Sequence, residues 1–178
     1  MSRRVLLLAL VVLALVLAER GVELALDARH VAWLRARGAT FAREDGFRLI
    51  LVGQVALFAG LAVETQLAPW ARVGWWTWPL LGLVALAQAL RYWVIRTLGP
   101  RWSTRVATLP DAPRVTTGPY RFARHPNYAA VAVETVVLPL AFGAWATAAL
   151  ASLTMGVALA RRIRAEEAAW SEASDEAA

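Results

Sequence analysis

The chain has 178 residues, of which 59% are hydrophobic and only 18% charged, with nine tryptophans and no cysteine. This is too apolar for an ordinary soluble domain, and without cysteine there is no disulfide framework, thiolate zinc site or thiol nucleophile; with only two histidines, no metal site is expected. The net charge of +6 comes from nineteen arginines and no lysine, spread between apolar runs rather than gathered on one water-facing patch, a pattern of membrane topology and not of nucleic-acid binding.

Residues 5–18 are almost uniformly apolar and follow Arg3 and Arg4. No small-x-small cleavage site precedes the polar residues, so they read as a first membrane helix and not as a signal peptide. The helical pattern continues to about residue 29. Glu19, Glu23 and Asp27 fall at four-residue spacing on one face, with Arg20 beside them. That face is either a charged boundary with water or a support behind a site. Residues 35–45 form a polar turn punctuated by Gly38 and Gly46.

A second span is expected over 47–67, with Glu64 at the membrane interface and Trp70, Trp75, Trp76 and Trp78 as an aromatic belt. A third covers 79–98. Pro100, Pro110 and Pro113 keep the next connection irregular. Residues 127–141 and 145–160 are two short apolar runs joined by Phe142-Gly143-Ala144. They predict a helical hairpin that returns Arg162 and Glu166 beside His125. Residues 171–178 are small and acidic and predict a disordered tail. The fold class is therefore all-α: a polytopic integral membrane helical bundle of about five transmembrane segments, the last two a short hairpin, in one domain over 1–170.

Sixteen arginines fall in 19–48, 91–124 and the C-terminal part, against Arg3, Arg4 and Arg72 on the other side. The positive-inside rule then puts the N-terminus outside and residues 91–124 and the C-terminus in the cytoplasm of a bacterial cell.

The stretch that stands apart is Gly118-Pro119-Tyr120-Arg121-Phe122-Ala123-Arg124-His125-Pro126-Asn127-Tyr128. Two prolines exclude one continuous helix. Irregular backbone at membrane depth survives only when protein covers it or when it lines a watered cavity. The plain alternative is a loop whose Arg and Tyr anchor at the interface. Glu134, inside an apolar run, is either a functional group or half of a salt bridge to a neighbouring helix.

Thr117-Gly118-Pro119-Tyr120 and Arg124-His125-Pro126-Asn127-Tyr128 resemble the first signature of the isoprenylcysteine carboxyl methyltransferase family of integral membrane methyltransferases. Arg162-Ile163-Arg164-Ala165-Glu166-Glu167 resembles its second, an arginine followed by a Glu-Glu pair on the helix after the next apolar run. Glu19 to Leu24 and Trp33 to Ala39 resemble a bacterial branch, some members of which O-methylate long-chain alkylpyrones. Eukaryotic members continue well past the Glu-Glu helix, whereas this sequence ends eight residues after Trp170. Substrate contacts supplied there are expected to be absent or to come from elsewhere.

The resemblance implies S-adenosylmethionine as cofactor, contacted by Val115, Tyr120, His125, Pro126, Asn127, Tyr128 and Glu166, with Arg162 and His125 as the catalytic pair. Ala112, Pro113 and Arg114 depart from the family's usual side chains, so only backbone contacts are expected there. Arg162, with Glu134 as a further candidate, is expected to bind the acceptor: a lipid-like molecule with a carboxylate or acidic hydroxyl. The simpler account of Arg162 and Glu166 is an ordinary i,i+4 pair. A phospholipid N-methyltransferase and a non-enzymatic membrane scaffold or transporter subunit are the alternative functions.

Overall fold

Helix α1 (Arg3–Arg35) runs unbroken for 33 residues, about 50 Å at 1.5 Å per residue. The apolar pattern ends at Ala18, yet the helix continues to Arg35 with no proline to stop it, Glu19, Glu23 and Asp27 sharing one face. The computed structural model describes residues 3–42, 46–110 and 112–175. Among these, α1 is followed by strand β1 (Thr40–Phe41), α2 (Phe47–Leu67), α3 (Thr77–Leu98), β2 (Ala107–Thr108), α4 (Pro126–Ala141) and α5 (Trp145–Asp175). Two 3₁₀ turns, Gly99–Arg101 and Gly118–Arg121, shape the α3–α4 connection.

The expected span over 47–67 coincides with α2, and α3 begins two residues before the expected third span. Both are long and apolar enough to cross a membrane. The hairpin has the expected short first arm and a longer second one. Helix α4 is short, 16 residues or about 24 Å, less than the roughly 30 Å of hydrocarbon. Helix α5, in contrast, continues for 31 residues. Beyond residue 160 the sequence is mostly Arg, Ala and Glu, good helix formers with no glycine or proline to stop them. The second signature therefore sits on the same helix as the apolar run. The expected tail over 171–178 begins inside α5, and residues 176–178 lie outside the described residues.

The strands form a two-residue antiparallel pair, Thr40 opposite Thr108 and Phe41 opposite Ala107. This corrects a purely helical expectation in a small way and ties the α1–α2 connection to the α3–α4 connection. At the far end of the bundle, the Phe142 carbonyl accepts from the Arg72 amide and the Thr77 hydroxyl donates to the Ala141 carbonyl. The α2–α3 and α4–α5 connections therefore share that end.

Glu64, expected at the interface, has a more specific task. Its carboxylate accepts from the amides of Ala146 (3.1 Å) and Thr147 (2.7 Å) and from the Trp70 indole (3.2 Å), satisfying donors that the first turn of α5 otherwise leaves open.

Helix α3 packs on α4, α2 on α5, and α4 on α5. Leu57, Leu61, Val84, Leu138 and Phe142 form the buried centre. Outward positions are also apolar: Leu15, Val52, Leu86 and Leu153 are each more than 60% exposed. A surface apolar on this scale suits lipid rather than water. Trp70, Trp75, Trp78 and Trp145 stand exposed at the far end, as a belt requires, whereas Trp76 is half-buried with Arg72 over its ring.

Candidate active site

The first signature folds as two local devices. Gly118 sits at φ 58°, and a Cβ there would meet the Thr97 hydroxyl at 2.5 Å, so the turn can press on α3 only with glycine. This seats Tyr120 against Val94, Ile95 and Trp102. Burial, then the negative charge of Glu166, pushes the Tyr120 phenol above its ordinary value. It stays a neutral hydroxyl at any physiological pH.

The second device is the start of α4. Pro126 occupies the first turn, where a missing amide hydrogen does no harm. His125 just before it stacks on the Tyr128 ring, centroids 5.4 Å apart.

Helix α5 brings the second signature alongside. The Tyr128 hydroxyl donates to Glu166 Oε2 at 2.6 Å and accepts from Arg162 Nε at 3.2 Å. Tyr128 therefore stands between Arg162 and Glu166, which is more than the ordinary i,i+4 pair that the sequence allows. Arg162 is 4% exposed, and its Nη2 donates to the Thr104 carbonyl at 2.6 Å. His125 Nδ1 lies 3.6 Å from Glu166 Oε2, and Nε2 3.6 Å from Glu167 Oε1.

These groups line one end of a cavity of about 550 Å³, together with Val115, Tyr120 and Asn127. The rest of the lining sets apolar side chains, among them Leu17 and Leu24 of α1 and Ile50, Val55 and Phe58 of α2, beside Arg20, Glu23, Gln54 and Arg91. The volume is that of a small-molecule site.

Two expected site residues fall outside this lining. Pro126 is buried and shapes the backbone. Glu134 is fully buried and turns to other helices: it pairs with Arg20 at 3.0 Å and Arg91 at 3.1 Å. Of the two readings its sequence left open, the geometry is that of the salt bridge, so its place as an acceptor-binding residue is withdrawn. Glu23 pairs with the same two arginines, closing a ring of alternating charge that joins α1, α3 and α4. Glu19 adjoins it by accepting from Gln88.

Three contributors had weak or no sequence signals. Asp27 accepts from the Thr104 amide (2.6 Å) and the Ser103 hydroxyl (3.1 Å), fixing the carbonyl that holds Arg162. This is the supporting role left open for the acidic face of α1. Thr104 acts through its backbone, which no side-chain pattern announces. Gln54, a lone amide in the apolar run of α2, also lines the cavity, and its polarity there was a readable sign.

The lining suits S-adenosylmethionine. His125 Nδ1, Asn127 Oδ1 and Thr104 Oγ1 are buried without a hydrogen-bond partner among the described residues, and all three residues belong to the cavity lining. The carboxylates of Glu166 and Glu167 answer an ammonium, and the faces of Tyr120 and Tyr128 an adenine or a sulfonium.

A lipid-suited helical bundle with its two signatures joined at one cavity is a membrane methyltransferase. The chain belongs to the isoprenylcysteine carboxyl methyltransferase (ICMT) family, whose profile matches residues 80–172, a range that holds both signatures. Across 165 residues it is 32% identical to "Uncharacterized protein YpbQ" of Bacillus subtilis (strain 168), covering 91% of this chain and 96% of that one. It is 28% identical over 164 residues to an "Uncharacterized protein" of Haemophilus influenzae, covering 89% and 92%. No solved structure matches it.

Proposed function

We propose that the protein is an S-adenosylmethionine-dependent O-methyltransferase of the bacterial cytoplasmic membrane, acting on a carboxylate or acidic hydroxyl of a lipid-like acceptor. The observation that carries this reading is one cavity joining the polar group of His125, Tyr128, Arg162 and Glu166 to an apolar part walled by α1 and α2. A long hydrocarbon chain belongs in the apolar part, and its acidic head at the polar end. The resemblance of the N-terminal half to the alkylpyrone branch ranks an alkylpyrone or related polyketide hydroxyl above a prenylcysteine carboxylate.

S-adenosylmethionine, held by His125, Tyr128 and Glu166, would supply a sulfonium methyl for transfer to an acceptor oxygen, the pair of the broken carbon–sulfur bond staying on sulfur. The protein's part is positioning. Tyr128 and Thr104 hold the Arg162 guanidinium before the acceptor arrives, so its planar fork meets the oxyanion without reorganisation. Glu166, fixed by Tyr128, offers its charge to the cationic part of the cofactor. An acceptor that is already acidic needs no strong base, and His125 in the same lining is the candidate to take a proton where one must leave.

His125→Ala and Glu166→Ala are each expected to weaken cofactor binding by roughly ten- to hundredfold, as loss of a charge-assisted hydrogen bond does. Titration calorimetry in detergent measures this. Wild-type affinity in both variants contradicts the cofactor assignment. The acceptor class is tested by incubating the protein and labelled cofactor with an alkylpyrone, a prenylcysteine analogue and phosphatidylethanolamine in parallel. Methylation of the phosphatidylethanolamine alone replaces this reading with an N-methyltransferase.

We also place the signatures on the cytoplasmic side, with five crossings and the N-terminus outside. The sixteen-to-three arginine split supports this, as does the pairing of β1 with β2 at one end and of Arg72 with Phe142 at the other. Reporter fusions after Arg114 and after Ala178 should both report cytoplasm. A periplasmic signal from either overturns the orientation.

A further inference from the structure

Phe122 has no part in the cavity, yet it sits inside the first signature. It is 78% exposed, between Tyr120, which packs against α3, and His125, which lines the cavity. In water such a placement forfeits the burial that a phenyl ring gains from any apolar neighbour.

The depth of Phe122 follows from its neighbours on α3. Its ring centroid lies 6.3 Å from that of Trp93, which is itself 46% exposed. Gly118, at the start of the same turn, presses on Thr97. The loop therefore lies along the last turns of a helix long and apolar enough to cross a membrane. Trp93 falls five residues before that helix ends at Leu98, about 7 Å along its axis. A helix of 22 residues is about 33 Å long against roughly 30 Å of hydrocarbon, so Trp93 stands at the headgroup boundary, where tryptophan is enriched. Phe122 stands there beside it.

Cations flank the two rings. The Arg121 guanidinium carbon is 5.9 Å from the Phe122 ring centroid, and Arg96 follows Trp93 by about one turn of α3. Both arginines are exposed, and neither has a carboxylate partner among the described residues. The carboxylates nearest in the signatures, Glu166 and Glu167, lie by His125, and Arg124 lines the cavity. The outer face of the loop thus offers two aromatic rings and two positive charges at the level of the lipid phosphates. Zwitterionic headgroups carry their own cation beside each phosphate, whereas anionic headgroups leave a negative surface that draws arginine.

We propose that Trp93, Arg96, Arg121 and Phe122 form a docking face for anionic phospholipid, with the rings at the acyl boundary and the guanidiniums on the phosphates. Docked there, the 118–125 loop is held in place by lipid while it presents Tyr120 and His125 to the cavity. The proposal goes beyond the methyl-transfer reading and does not depend on the acceptor.

Hydrogen exchange tests it. The amides of Tyr120, Phe122 and Ala123 donate within the loop, to the carbonyls of Thr117 and Pro119, so their exchange reports how often the loop opens. The protein is compared in nanodiscs of phosphatidylcholine alone and of phosphatidylcholine mixed with phosphatidylglycerol. Exchange at these amides is expected to be roughly ten- to thirtyfold slower in the anionic discs, the effect of two arginines near an anionic surface, and the difference should shrink at high salt. Arg96→Gln with Arg121→Gln should erase it while the amides of α5 exchange as in wild type. Phe122→Ala should speed exchange in both discs, and Phe122→Trp should restore it. Equal wild-type exchange in the two discs overturns the proposal, as does a difference that survives the double glutamine variant or an alanine variant that exchanges like wild type. No acceptor or turnover enters these measurements, so their failure leaves the methyl-transfer reading standing, and failure of that reading leaves the docking face standing.

Discussion

Arg162→Lys is expected to lower turnover about a hundredfold, the scale on which a misplaced catalytic contact acts, while binding of S-adenosylmethionine persists. The side chain is 4% exposed, with Nε donating to the Tyr128 hydroxyl and Nη2 to the Thr104 carbonyl. A lysine keeps the charge but is a point donor on a flexible stem, so it cannot reach both partners and face an acceptor oxygen in one fixed plane. The cofactor's expected partners, His125 and Glu166, are left in place, which is why the two readouts should separate. Steady-state rates and calorimetry on the same preparation decide it. Wild-type turnover in the lysine variant removes Arg162 from acceptor positioning, and joint loss of turnover and cofactor affinity moves it to the cofactor.

Glu134→Ala has the largest expected effect on stability, a loss of about 3–5 kcal/mol, the usual consequence of taking one partner from a buried ion pair. Glu134 is fully buried, and its Oε2 meets both Arg20 and Arg91. Removing it leaves Glu23 as the remaining salt-bridge partner of the two guanidiniums among the described residues, at the junction of α1, α3 and α4. Glu134→Gln keeps an acceptor oxygen and should lose less. Thermal unfolding in detergent measures both, and an alanine variant that melts with wild type shows that the ring does not hold the helices.

Much of the architecture was legible because hydropathy and helix signals are local. The bounds of α2 were readable to the residue, since Gly46 and Pro69 bracket an unbroken apolar run. The glycine, prolines and aromatic residues of the first signature also marked their own irregular backbone. Partners were harder. Glu19, Glu23 and Asp27 share a face on α1, yet one joins Gln88, one completes a charge ring and one steadies Arg162 through Thr104. These fates depend on residues about 70 positions away, and no spacing rule within a helix reaches that far.

The sequence by itself determined that this is a helical membrane protein and where its irregular polar segment lies, and its two signatures carried the expectation that His125, Tyr128, Arg162 and Glu166 come together. Those features follow from local propensity and from two signatures in fixed order. The tertiary structure alone decided that Tyr128 stands between Arg162 and Glu166, that Asp27 and Thr104 steady the arginine, and that Glu134 serves a charge ring and not the cavity lining. A buried charge takes its role from whichever opposite charge the packing of distant helices brings within about 4 Å, because desolvation makes an unpaired one untenable.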